Sequence, residues 1–133
     1  MHLGEPTKCD CVFYEEPPPG SDKPVKVWLE SLKGANLAAY DGVYRKFALL
    51  ELRGIDESMQ SGLLKHVRGK IVEMKVRMRG AQPRVLGWIG RSKVGRQRFV
   101  AASSEMKDQP ELDEATIVLA EQRMESWNAR FKQ

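Results

Sequence analysis

Glu73, Lys75, Arg77 and Arg79 occupy every second position of the stretch KIVEMKVRMRG, interleaved with Val72, Met74, Val76 and Met78. That alternation is the period of a half-buried β-strand, with one row packed and the other facing outward. The outward row holds three cations and one acid, with neighbours about 6.5–7 Å apart. Arg84 follows the turn GAQP and is expected to open the next strand beside this row. Arginine presents a planar fork of donors that matches phosphate oxygens. Arg77, Arg79 and Arg84 are therefore candidates for clamping a phosphate backbone and stabilising negative charge. Lys75 can act in the same way, and Glu73 can orient the cations through ion pairs.

The surroundings of this row are strongly basic. Residues 63–98 contain eleven Lys and Arg and a single acid, Glu73. The segment is therefore +10, and with a formal net charge of +4 the rest of the chain carries −6. Basic side chains protect sheet edges and loop tips in many proteins. One acid among eleven cations points instead to a surface that meets a polyanion. Lys70, Arg91, Lys93, Arg96 and Arg98 belong to this segment and Lys107 lies just beyond it. All six are candidates for contact with such a partner.

Other chemistries find little support. Cys9 and Cys11 share a face if their segment is extended, but a metal site needs two further ligands. The chain offers only His2 and His66, in no matching motif. The cysteines read as two small residues of a reduced intracellular protein. His66 is the one histidine placed to donate a proton, although a lone histidine is more often structural. There is no Ser-His-Asp arrangement and no glycine loop of the phosphate-cradling kind. Neither a metal nor a cofactor is expected.

The elements that must position these residues follow from periodicity. CDCVFYE (residues 9–15) reads as a first strand, and EPPPGSDKP as a loop broken by its prolines and glycine. PVKVWLESLKG is a helix with Pro24 at its first position, Gly34 just past its end, and Val25, Trp28, Leu29 and Leu32 on one face. NLAAYDGVYRKFALLELRG is a second helix with a stripe of Tyr40, Val43, Tyr44, Phe47 and Leu50, which reads as core packing and not as a base-stacking platform. IDESMQSG is expected to be a polar connection. Four strands follow, in LLKHV, IVEMKVRMR, RVLGWIGR and QRFVAASS, and their short connections predict an antiparallel meander. PELDEATIVLAEQRMESWNARF is a final helix whose Ile117, Ala120, Met124, Trp127 and Phe131 would pack on the sheet. Acids at its start and Arg130 and Lys132 near its end both suit the helix dipole.

At 133 residues this is one domain, with residues 1–8 as a flexible lead-in. The fold class is α+β: a curved, mainly antiparallel sheet of four to five strands with two N-terminal helices and a C-terminal helix. No apolar run approaches a membrane span of ~18 residues, and the start MHLGEPTKCDC lacks the apolar centre of a secretion signal. The expected location is the cytoplasm.

The same order of elements resembles the small ribonuclease toxins of bacterial toxin–antitoxin pairs, the RelE/ParE superfamily, and within it the phage-derived HigB-like branch. VFYEEPPPGSDKPVKVWLESL, LLKHVRGKIVEMKVRMRG, Arg84 at the next strand and PELDEATIVLAEQRMESW carry the resemblance, which covers about residues 9–128. It implies a RelE-like fold and a metal-independent endoribonuclease acting on mRNA held in the ribosome, kept inactive by a helix-turn-helix antitoxin. Cleavage of that kind requires deprotonation of the substrate's 2′-hydroxyl, neutralisation of charge on phosphorus and protonation of the leaving oxygen. On this reading Lys75, Arg77, Arg79, Arg84 and Glu73 are the catalytic candidates, with Glu73 or a lysine of depressed pKa as base. Lys70, Arg91, Lys93, Arg96, Arg98 and Lys107 bind RNA.

The chain departs from the family at two places, and one is the loop IGRSKVGRQR, which is unusually glycine-rich and basic. A Gly-Phe-x-Lys-Lys segment usually leaves the last strand, whereas FVAASSEMKDQP puts Ser103, Ser104 and Glu105 where the lysines belong. That departure bears on the activity more than on the fold. It motivates the alternative of a non-enzymatic phage or prophage module that binds nucleic acid or a host protein. A gyrase inhibitor like the ParE branch is a third reading, distinguished by supercoiling assays, because one fold carries several functions.

Overall fold

The computed structural model describes residues 6–131. His2, Lys132 and most of the expected lead-in lie outside the described residues. Within the lead-in, the Lys8 N–H donates to the Glu51 carbonyl at 2.8 Å, and Arg96 Nη2 donates to the Thr7 carbonyl at 2.9 Å.

The chain runs β1 (Asp10–Phe13), α1 (Pro24–Ala35), α2 (Leu37–Arg53), α3 (Ile55–Ser61), β2 (Lys65–Arg68), β3 (Ile71–Lys75), β4 (Gln82–Arg91), β5 (Gln97–Lys107) and α4 (Glu114–Arg130). The five strands form one sheet in the order β1-β5-β4-β3-β2. β2 to β5 are the expected antiparallel meander, while β1 lies parallel to β5 at one edge, so the sheet is mixed. The described residues form an α+β fold with four helices, three of them ahead of the meander.

Besides Gly34, which lies inside α1, and Phe131, which is exposed past the end of α4, two expectations need correction. The stretch from Ile55 to Ser61 is a helix, not a polar connection. Gly54, at φ 86°, turns the chain out of α2, Asp56 and Glu57 sit in the first turn, and Ile55 and Ser58 are buried one turn apart. Gly62 then ends the helix in the left-handed conformation. One apolar anchor in seven residues is too little to show as a helical period. The second correction is the long strand, which stops at Lys75. The Val76 N–H still donates to the Pro83 carbonyl at 3.0 Å, but proline has no N–H to return. Pairing ends there, and Arg77 and Arg79 fall in the connection to β4.

The sheet is covered on both faces. Val72, Met74 and Val76 do form the packed row, and with Val85, Phe99 and Ala101 they meet Val25, Leu29, Val43, Phe47 and Leu50 of α1 and α2. On the opposite face Ile71, Leu86, Trp88, Val100 and Ala102 pack against Ile117, Ala120 and Trp127 of α4, with Tyr14 completing the cluster. Trp88, Trp127 and Tyr14 hold their ring centroids 6.0–6.4 Å apart in tilted or edge-on pairs. Ion pairs fasten the helix at its margins: Arg68 of β2 reaches Glu114 and Glu121, each at 2.8 Å, and Arg123 reaches Glu16 at 3.2 Å.

The register between β4 and β5 shifts at Leu86/Gly87, so that Leu86 faces Ser103 but Gly87 faces Ala101. A Cβ on Gly87 would lie 1.9 Å from the Val100 carbonyl oxygen, a backbone atom that no rotamer change can move. Gly87→Ala is expected to cost about 3 kcal/mol or more in denaturant unfolding, the upper end of overpacking penalties. Gly34→Ala, where a Cβ meets nothing within 4 Å, is expected to cost nothing. The Arg68 clamp gives a second expectation. Hydrogen bonds from Arg68 hold the Glu121 carboxyl below its ordinary value of 4.5. A carboxylate with a lowered folded pKa stabilises above its unfolded value and loses that contribution as pH falls through the folded one. Protection factors along α4, corrected for the pH dependence of intrinsic exchange, should therefore fall below about pH 4.5, and Glu121→Gln should bring the lower protection to neutral pH.

Candidate nucleic-acid interface

Because α4 covers the second face, the outward row is only partly open. Ile71, the first member of that row, is fully buried beneath the helix. Glu73 and Lys75 lie beyond its cover and are half-buried, and Arg77 is exposed. Lys65 pairs with Glu73 in register, so its side chain shares their face. These residues meet α2 at the sheet margin. A cleft of about 430 Å³ is lined there by Lys46, Arg53, Lys65, Lys75 and Arg77, around a floor that includes Gly62 and Val76.

The lining of this cleft holds five cations and no acid. The described ion pairs engage Arg68, Arg84, Arg96, Lys107 and Arg123, and none engages a cation of the cleft. Glu73, Lys65, Lys75 and Arg77 also line a smaller recess beside Gly62. Glu73 Oε2 is buried there without a hydrogen-bond partner. A buried, unpaired carboxylate oxygen costs free energy unless something completes the site. Five cations without an ion-pair partner among the described residues, gathered around one opening, focus a positive potential suited to phosphates. A carboxylate among them can accept a proton.

The remaining candidates are placed differently. Arg84 does stand beside Lys75, in register across β3 and β4, but only 1% of it is exposed. Its Nη2 donates to the Gln109 carbonyl at 2.6 Å and its Nη1 lies 3.9 Å from Glu105 Oε2. Arg84 Nε and Nη1 and Glu105 Oε2 have no hydrogen-bond partner. Arg84 is thus shut beneath the β5–α4 connection. Glu105 Oε1 accepts from the Asp113 N–H at 3.1 Å, and Lys107 pairs with Asp113, which closes that connection down. Arg79 is exposed in the β3–β4 loop, outside both clefts.

The other cations divide between structural and surface roles. Arg96 is held by Asp10 at 2.8 Å and by Thr7 and Cys9. Arg91 Nη1 donates to the Gly95 carbonyl within the β4–β5 turn, where Lys93 is exposed. Lys70 and Arg98 lie at the end of the sheet away from the five-cation cleft. His66 Nε2 is 2.8 Å from the Gly69 carbonyl, so its N–H is engaged in that turn.

Lys46 and Arg53 were not singled out by the sequence reading. Their signal was present: seven residues apart on one helix, they share a face with Leu49, off the apolar stripe. What the sequence does not show is that this face borders Lys75.

The cysteines lie across the sheet from His66, in and before β1. Cys9 Sγ donates to the Leu50 carbonyl at 3.3 Å and Cys11 Sγ to that of Phe47 at 3.7 Å. Burial, reinforced by Glu51, raises both thiols, Cys9 to about 11 and Cys11 further. They stay protonated in the folded protein while unfolded cysteines ionise near 9.0. Alkylation by iodoacetamide at pH 8 is expected to be at least tenfold slower in the native protein than in denaturant. Stability should fall as pH rises above about 9, where only the unfolded thiols ionise. Alkylation at equal rates in both states would remove this assignment. Compared with protein-family models, curated proteins and solved structures, the chain matches none.

Proposed function

We propose that the protein is the toxin of a toxin–antitoxin pair, a metal-independent endoribonuclease acting on mRNA in the ribosome, with a RelE-like fold of the HigB-like branch. One observation carries the reading: five cations without ion-pair partners among the described residues converge on one cleft, beside a carboxylate oxygen of Glu73 that has no partner among them either. The sequence resemblance supports it independently.

In the proposed reaction Glu73 takes the proton of the substrate's 2′-hydroxyl. The 2′-oxygen attacks the adjacent phosphorus, and the bond from phosphorus to the 5′-oxygen breaks. Lys65, Lys75 and Arg77 neutralise the charge that builds on the phosphoryl oxygens, and a lysine ammonium protonates the leaving 5′-oxygen. Lys46 and Arg53 hold the flanking backbone through phosphate contacts that carry no sequence information. A helix-turn-helix antitoxin is the expected protein partner.

A second reading is favoured by Arg84. The arginine fork aligned with Lys75 faces Glu105 and a closed connection instead of solvent. A protein that binds RNA through the margin cleft without cutting it would show this arrangement. Induced expression in bacteria distinguishes the two. Growth arrest with cleaved transcripts is expected, and combined Lys65→Gln, Lys75→Gln and Arg77→Gln changes should reduce cleavage by about 10²-fold or more with unchanged circular dichroism. RNA retained on the protein with transcripts intact on translating ribosomes would establish the non-enzymatic reading. Undiminished arrest by the triple variant would show that the active face lies elsewhere.

A further inference from the structure

A second cleft, of about 510 Å³, opens between β4 and α4 at the other end of the sheet, beside the β2–β3 turn. Its walls are Trp88 and Gly90 of β4, Met124, Trp127 and Asn128 of α4, and Lys70 from the turn. The two indoles meet edge to face, with centroids 6.1 Å apart. The Trp88 Nε1 edge is turned toward Gly90: a Cβ there would lie 3.8 Å from it. Arg98 pairs with Gly90 in register, and its guanidinium sits 5.4 Å from the centre of the Trp127 ring. Arg98 Nε is buried without a hydrogen-bond partner. No acid lines the cleft, and neither Lys70 nor Arg98 takes part in a described ion pair.

A cavity of this size is within the range that holds a small organic ligand. Its chemistry is specific in two respects. Aromatic and thioether walls accept a planar, polarisable group. Lys70 at the mouth, with Arg98 alongside, calls for an anion, and the Asn128 amide supplies a donor and an acceptor for a polar edge. We propose that this cleft is a nucleotide site, with the base against Trp88, Met124 and Trp127 and the phosphate on Lys70 and Arg98. A free mononucleotide and one nucleotide of an RNA strand present the same chemistry. The site shares no lining residue with the five-cation cleft and does not rest on its cleaving RNA.

The full chain reports on this site directly, because Trp88 and Trp127 line it while Trp28 packs on the opposite face of the sheet. Titration with adenosine 5′-monophosphate is expected to quench tryptophan fluorescence saturably. Lys70→Gln should weaken the apparent affinity about tenfold, the scale of one charge-assisted hydrogen bond. Gly90→Leu should abolish the response by filling the cleft. A Cβ at Gly90 makes only ordinary van der Waals contacts, and an unchanged circular dichroism spectrum checks that the leucine variant folds. The triple Lys65, Lys75 and Arg77 variant should keep the response, which separates failure of this site from failure of the other. Tighter binding of a short oligoadenylate would identify an RNA strand as the source, and equal or weaker binding a free nucleotide. The proposal is overturned by quenching that does not saturate, by an unchanged response in Gly90→Leu, or by inorganic phosphate reproducing the effect at the same concentration.

Discussion

The paired strands β4 and β5 must be covered on both faces, and the remaining architecture follows from that requirement. Val85 and Leu86 are adjacent and wholly buried, as are Phe99, Val100, Ala101 and Ala102. Adjacent strand residues point to opposite faces, so such a run exposes apolar surface on one side unless two layers exist. The α1–α2 pair supplies one layer and α4 the other. Each Leu, Val or Phe so buried contributes roughly 1.5–3 kcal/mol relative to exposure. A sheet left open on the second face would forgo that for Ile71, Leu86, Val100 and the two tryptophans together.

Covering the second face has a direct consequence for chemistry. The helix that buries Leu86 and Trp88 also occupies the space above the strand positions where a basic row would meet a ligand. What remains open is the margin beyond α4, where Glu73, Lys75 and Lys65 emerge and where α2 contributes Lys46 and Arg53. Arg84 falls under the cover. A guanidinium with two unpaired nitrogens, opposite a carboxylate with an unpaired oxygen, is costly to keep inside a protein. The β5–α4 connection that encloses this pair is fastened by Lys107–Asp113 and by the Asp113 N–H to Glu105, partly exposed contacts that individually contribute little.

Much of this was legible in the residues. The Val72–Met74–Val76 row, the meander, α1, α2 and the α4 stripe as far as Trp127 follow from period and from Pro24 and Gly54, whereas Gly34 and Phe131 do not sit where that reading puts them. The same reading sets Lys75 and Arg84 side by side. It goes wrong where tertiary structure decides. Nothing local to Arg84 marks it for burial; that depends on Gln109 and Glu105, more than twenty residues away. The end of β3 depends on Pro83 as the pairing partner, information held on the neighbouring strand. The continuous apolar runs VLGWI and FVAA carry the signal of two-sided burial, which an alternating-strand template passes over. α3 carries too few apolar residues to register as a period.

The distribution of charge makes the same point from the other side. A segment of +10 suggested one basic surface, but folding sorts its cations by what they face. Arg68 meets the acids of α4 and Arg96 meets Asp10, so these charges hold elements together, while Arg84 is buried opposite Glu105. Among the described residues, Lys65, Lys75 and Arg77 stay unpaired at one end of the sheet, and Lys70 and Arg98 at the other. Lys70 and Lys75 are separated along β3 by about 17 Å at the usual rise per residue. That distance is greater than the screening length of about 8 Å at physiological ionic strength. The two groups therefore act on a bound anion as separate local fields. A polyanion long enough to reach both gains from each, and a single phosphate gains from only one.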